Sequence, residues 1–218
     1  MLTDMQLQQN TMAELRWEPS VKAAEIGVAA RGGVVTLTGK VDTYAQKFAA
    51  ERAVERVTGV RAIADDLTVA LLGVYERTDS DIARAAVNAL AWDVEVPEGI
   101  TVVVSQGWVK LAGKAQWFFQ KAAAERTVRY LAGVTGVTNA ITVEQQVPVK
   151  AVDVKANIEA AFVRNVELDA KTINVAAHDG TVTLTGTVRS WAERVDATHA
   201  AWNAPGVRFV KDELVVAR

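Results

Sequence analysis

Chemistry first asks for groups that titrate near neutral pH, and this 218-residue chain has two histidines, His178 and His199, and no cysteine. His178 sits beside a glycine turn. His199 lies in a helical stretch whose counterparts elsewhere in the chain carry Arg52 and Arg126. Neither histidine recurs, so solvated surface imidazoles are expected rather than a catalytic base. The acidic pairs Asp65-Asp66 and Asp212-Glu213 could share a proton as acid–base dyads do. Surface acids on strand edges are the simpler reading. No Gly-Lys-Ser/Thr phosphate loop, His-Glu-x-x-His pair or Gly-x-Ser-x-Gly elbow is present. Without cysteine there is neither a disulfide staple nor a thiolate metal site. The sequence therefore predicts no catalytic residues, no cofactor and no metal.

Binding leaves a stronger trace. Trp117-Phe118-Phe119 is a run of three aromatics flanked by Lys114 and Lys121. On a helix three consecutive side chains spread over roughly 200° of arc, so they cannot all face one sheet. At least one must meet a neighbouring unit, a partner or a lipid interface, where amphipathic aromatics are favoured. Packing between units and a binding anchor are both open, and these five residues form the candidate contact surface. Trp17 and Trp92 end two other helices, whereas the third has Arg164 there. That asymmetry predicts tryptophans covered by the next unit in line, with a lipid-facing role as the second reading.

The elements that position these residues come in triplicate. Gly33-Val34-Val35-Thr36-Leu37-Thr38-Gly39 returns as Gly107–Gly113 and as Gly180–Gly186, at offsets of 74 and 73 residues. Gly59, Gly133 and Gly206 follow in register, and then Val69, Val143 and Val216. Each unit opens with a helical period: Leu7, Thr11, Leu15; Ile82, Ala86, Leu90; Val154, Ile158, Phe162. Asp79 and Ser80, and later Asp153, stand where N-caps and early acidic residues stabilise a helix start. Two alternating strands follow, joined at Gly32-Gly33, Gln106-Gly107 and Asp179-Gly180, as a type I′ hairpin requires. Gly39, Gly113 and Gly186 are expected to end the second strand in a sharp turn where a Cβ would clash. A second helix opens with capping spacings, Thr43 with Gln46 and Ser190 with Glu193. Gly59, Gly133 and Gly206 are expected at its left-handed C′ position. Closing strands are placed near 61–69, 135–143 and 208–216.

The fold class is thus α+β: three tandem αββαβ units, each a three-stranded sheet with two helices on one face. Boundaries fall at 1–72, 73–147 and 148–218, joined by short linkers near 71–77 and 144–150. Units of roughly 70 residues bury a small core and are marginal alone.

This pattern resembles the BON domain (bacterial OsmY and nodulation). The matching stretches are Asp179-Gly180-Thr181-Val182-Thr183-Leu184-Thr185-Gly186-Thr187-Val188 and Gly206-Val207-Arg208-Phe209-Val210, with the Gly-Val pair recurring at Gly59-Val60 and Gly133-Val134. The resemblance covers nearly the whole chain, as a triple-BON protein of the OsmY-like, osmotically inducible type. It implies a non-catalytic binding module linked to osmotic or envelope stress, contacting phospholipid surfaces or protein clients. Some members of the family bind potassium instead, which makes a cytoplasmic ion sensor the alternative. Such a site would use backbone carbonyl oxygens and leave little trace in sequence. The resemblance transfers no site residues.

Charge narrows the partners. Lysine and arginine number 24 against 26 acids, and the thirds of the chain split 8 against 9, 7 against 8 and 9 against 9. No unit has the basic excess of a nucleic-acid binder. No stretch reaches the roughly 18 apolar residues of a membrane span, and residues 1–10 lack a signal-peptide pattern. A cytoplasmic monomer is expected, periplasmic only if a signal has been removed.

Overall fold

The computed structural model describes residues 2–144, 151–165 and 171–217. The expected boundary at 147/148 and most of the second linker lie outside them. Unit 1 contains α1 (Asp4–Trp17), a 3₁₀ turn (Ala23–Glu25), β1 (Ile26–Arg31), β2 (Val34–Val41), α2 (Tyr44–Glu55) and β3 (Ala62–Val69). Unit 2 contains α3 (Asp79–Trp92), β4 (Thr101–Ser105), β5 (Trp108–Ala115), α4 (Phe118–Arg129) and β6 (Gly136–Val143). Unit 3 contains α5 (Ala151–Arg164), β7 (Ile173–His178), β8 (Thr181–Val188), α6 (Trp191–Trp202) and β9 (Phe209–Val216). The architecture is α+β, as the periodicities predict.

Each unit has its own three-stranded sheet with the second strand in the centre. The first strand pairs with it antiparallel through the hairpin, and the third runs parallel after the helical crossover. Strand alternation decides which face is covered. Val35, Leu37 and Val41 point under the helices and are buried, while Val34, Thr38 and Lys40 between them are exposed. Leu7 and Leu15 from α1, and Ala50, Ala53 and Val54 from α2, complete that core. The small side chains of α2 allow it to lie close on the sheet. Ile82, Leu111, Val128 and Ile141 anchor the second core; Ile158, Phe162, Leu184 and Leu214 anchor the third.

The hairpin turns follow their residues: Gln106 (φ 52°) with Gly107 (φ 76°), and Asp179 (φ 45°) with Gly180 (φ 75°), both positive as a type I′ turn needs. The first helix is tied to this turn by its leading acid. Asp4 Oδ1 accepts from the Gly32 N–H at 2.8 Å, and the Asp79 carboxylate accepts from Gln106 and Gly107 N–H groups at 2.9 Å each. Asp79 is an early acidic residue of α3, as expected, but it is not the N-cap. Thr78 is the N-cap, with Asp81 N–H donating to its hydroxyl at 3.2 Å, which frees Asp79 to hold the hairpin.

Two further expectations shift. The second strands continue past Gly39, Gly113 and Gly186 to Val41, Ala115 and Val188. Those glycines mark a close crossing inside the strand, not its end. Gly59, Gly133 and Gly206 are left-handed (φ 92°, 90° and 88°), yet they sit four residues past the helix ends, in the turn that delivers the buried Val60, Val134 and Val207.

The candidate functional site

The start of the second helix was the sequence's candidate surface. The structure divides its residues among three environments. In α2 and α6 this helix start is capped by Thr43 and Ser190, and Gln46 or Glu193 reaches back to the backbone N–H of Asp42 or Arg189. In α4 the capping position is Trp117, which has no acceptor. Only the return half survives: Gln120 Oε1 accepts from Gln116 and Trp117 N–H groups at 2.9 and 3.0 Å. Giving up the hydroxyl places three aromatics in sequence.

Phe118 turns toward unit 3. Its ring stacks on Trp202 at 4.7 Å between centroids and 13° between planes, and lies 5.9 Å from His199. Trp117 is half-buried, and Phe119 remains 49% exposed. Lys114 is exposed and paired with Glu144 at 2.8 Å. Lys121 is half-buried, and burial pushes its ammonium below the usual lysine range, against the charge of Glu125. The five residues do not converge on one patch. Phe118 joins units, and Phe119 and Lys114 face solvent.

The junction between units 1 and 2 uses the matching positions. Tyr44, at the start of α2, packs on the core of unit 2, with Glu125 and the Val137 backbone near its phenol. Burial first, and then the Glu125 and Glu51 charges, push that phenol above the usual tyrosine range. One turn on, the Arg129 guanidinium lies 3.3 Å from the centroid of the Phe48 ring and donates to Glu125 at 2.7 Å. A desolvated cation on a ring contributes about 2 kcal/mol. Tyr44, Phe48, Arg129 and Trp202 were not singled out by sequence reading. Their signal was the aromatic shared by Tyr44, Phe118 and Trp191.

The acids also differ from expectation. Asp65 and Asp212 are not simple surface acids, because alternation aims Asp65 at α2 and Asp66 at solvent, and likewise leaves Asp212 half-buried and Glu213 exposed. Asp65 pairs with Lys47 at 2.9 Å, and Asp212 with Arg194 at 2.7 Å. Glu51 completes the first group. Burial, followed by the hydrogen bond and charge of Asp65, pushes its carboxyl up to about 8. Burial opposes ionisation of Asp65, but hydrogen bonds from Glu51, the Leu67 N–H and Lys47 outweigh it and hold Asp65 low. The matching pair in unit 2 is Glu125 with Asn139, whose amide is a permanent donor to Oε2 at 3.3 Å.

A pH effect follows. With its folded pKa above the unfolded value of 4.5, Glu51 adds stability that is full below that value and lost as pH rises through about 8. Asp65 acts oppositely, losing its contribution only on acidification below its own unfolded value of 3.8, outside this window. Glu51 is partly solvated, so about 1–2 kcal/mol is expected. Melting of the chain against pH should show this decline, and Glu51→Gln should flatten it. An equal decline in that variant contradicts the assignment.

The two histidines lie in different surroundings. His178 is exposed beside Asp179 at 3.2 Å, and His199 belongs to the Phe118 junction. Among the described residues, no group of three or more His, Asp or Glu side chains could hold a metal ion. No helix there is long and apolar enough to cross a membrane.

Two large apolar side chains stand out instead. Trp17 and Trp92, at the ends of α1 and α3, are 81% and 87% exposed. The expectation that a following unit covers them is corrected. The junctions form at the second helices, which leaves the first-helix ends uncovered. Trp17 borders an open groove of about 570 Å³ with Glu14, Glu18, Pro19 and Arg56, and Arg56 bridges the two acids at 2.9 and 3.2 Å.

The BON domain family matches residues 3–70, 78–145 and 151–218. The chain belongs to the BON family. Its three BON units each span one αββαβ set, and the family's members are binding modules rather than catalytic centres. No curated protein matches the chain. Solved structures of CdsD, a structural protein of the type III secretion system of Chlamydia trachomatis, are similar at 16% identity. That comparison covers 96% of this chain and 91% of the other, with a TM-score of 0.27. Its C-terminal domain matches at 15% identity over the full length of both, with a TM-score of 0.26. Scores this low carry no argument about this BON chain.

Proposed function

We propose that this triple-BON chain is a non-catalytic binding module for osmotic or envelope stress that contacts anionic phospholipid surfaces. The observation that carries the reading is the repeated exposure of Trp17 and Trp92 at equivalent helix ends. An indole left in water at one place could be incidental. Two at matching positions, neither covered by the unit beside it, leave the same apolar side chain in water twice. Indole rings favour the headgroup region, where the ring is desolvated and the N–H stays hydrated.

The net charge of −2 makes insertion of rings, rather than long-range attraction, the source of affinity. Binding should therefore vary little with salt. Co-sedimentation with vesicles of phosphatidylglycerol and phosphatidylcholine tests this. The paired substitutions Trp17→Ala and Trp92→Ala should reduce the bound fraction about tenfold or more, as loss of an interfacial hot spot does. Because both side chains are exposed, the melting temperature should stay near that of the unsubstituted chain. A chain that leaves the vesicles in the supernatant, or a double variant that binds as the parent does, overturns the reading.

A further inference from the structure

The two internal junctions are the same junction used twice. Tyr44 and Phe118 are 74 residues apart, Arg129 and Trp202 are 73 apart, and these are the repeat offsets. Each time, the start of a second helix meets the end of the next unit's second helix. Such a contact joins two different surfaces, so it does not terminate itself. Among the three units, the start of α6 and the end of α2 take part in neither junction.

The start of α6 carries apolar residues at the junction positions. Trp191 stands where Tyr44 and Phe118 stand, half-buried on the core of its own unit with Arg194 5.2 Å from its ring centroid, and the half-buried Val195 stands where Phe48 does. We propose that a second copy of this chain docks head to tail, placing Trp191 and Val195 of one copy against the end of α2 and the edge of β3 in the other.

The acceptor end supports this pairing. Glu51 and Arg52 occupy the positions of Glu125 and Arg126 in unit 2, and Arg52 matches His199, which lies against Phe118 in unit 3. Arg52 is thus placed to meet the incoming indole face as a cation. In unit 2, Tyr44 lies beside Val137 on the edge strand β6; the matching residue in unit 1 is Ile63, on an edge strand with no further strand beside it. One substitution weakens the external contact. Glu55, paired with Arg52 at 2.9 Å, replaces the stacking groups Arg129 and Trp202. The association is therefore weaker than the internal junctions and depends on concentration.

Sedimentation equilibrium up to about 1 mM tests it. The weight-average mass should rise above 23.5 kDa with concentration. Glu55→Arg, which restores the cation that the first internal junction uses, should raise the association constant roughly fivefold to tenfold. Val195→Asp should return the chain to a single copy, with circular dichroism confirming that unit 3 is folded. Since the chain has no cysteine, Glu55→Cys combined with Val195→Cys allows a short bis-maleimide to link copies into a ladder. A constant mass of one chain in both the parent and Glu55→Arg overturns the proposal. So does association that neither Glu55→Arg nor Val195→Asp alters. The Glu55→Arg arm keeps the test decisive if Val195→Asp fails to fold.

Discussion

Alanine at Gly39 or Gly186 is expected to lower the stability of its unit by at least about 3 kcal/mol, the largest effect of any single methyl group in the chain. Both glycines sit inside the central strand with φ 125°, a conformation that L side chains rarely adopt. An added Cβ would overlap the carbonyl oxygen of Glu25 or Thr172, where the chain passes just before the first strand. Neither obstacle can swing aside, because each is backbone held by the start of β1 or β7. Gly113 offers an internal comparison. A Cβ there meets the end of the Ile100 side chain at 2.9 Å and the Gly99 carbonyl at 3.0 Å, so the crowding is milder. The positive φ of 145° remains. Thermal melts should rank Gly39→Ala and Gly186→Ala as more damaging than Gly113→Ala, with losses of more than about 10 °C in the first two. Equal small losses in all three contradict the crossing as the reason for these glycines.

The second large effect belongs to Phe118→Ala, for which a loss of about 2–3 kcal/mol is expected. A fully buried phenylalanine costs about 3–5 kcal/mol, and Phe118 is only half-buried, which reduces the figure. Removing its ring leaves Trp202 without its stacking partner and separates unit 3 from unit 2. Calorimetry should show unit 3 unfolding at a lower temperature than in the parent, ahead of unit 1. Phe119→Ala, one residue along but solvent-facing, should stay within about 0.5 kcal/mol. The contrast between neighbours distinguishes a junction from a generally sticky run.

Much of this fold was legible locally. Gln106-Gly107 and Asp179-Gly180 marked the hairpins because few residue pairs accept two positive φ angles. Alternation at Val35, Leu37 and Val41 named the buried face. The same alternation along Ile63, Asp65, Leu67 and Val69 places Asp65 beneath α2, yet its adjacency to Asp66 favoured reading both as surface acids. Asp79 was legible as an acid at a helix start, but local spacing does not show the hairpin 27 residues later that claims its carboxylate.

The contact surface was the least legible part. Attention to how the units differ favoured Trp117-Phe118-Phe119, whereas the junction depends on what they share, the aromatic at Tyr44, Phe118 and Trp191. Trp202 lies far along the chain from Phe118, and no local period connects them. The exposure of Trp17 and Trp92 depends on which helices the junctions use, and that is decided by tertiary packing.

A double-mutant cycle between Phe118→Ala and Trp202→Ala, read by equilibrium unfolding, tests the head-to-tail coupling of the units most directly. The stacked rings predict a coupling energy of about 0.5–1.5 kcal/mol between the two positions. Losses that add within about 0.3 kcal/mol would show that the rings do not hold units 2 and 3 together, and would contradict the account.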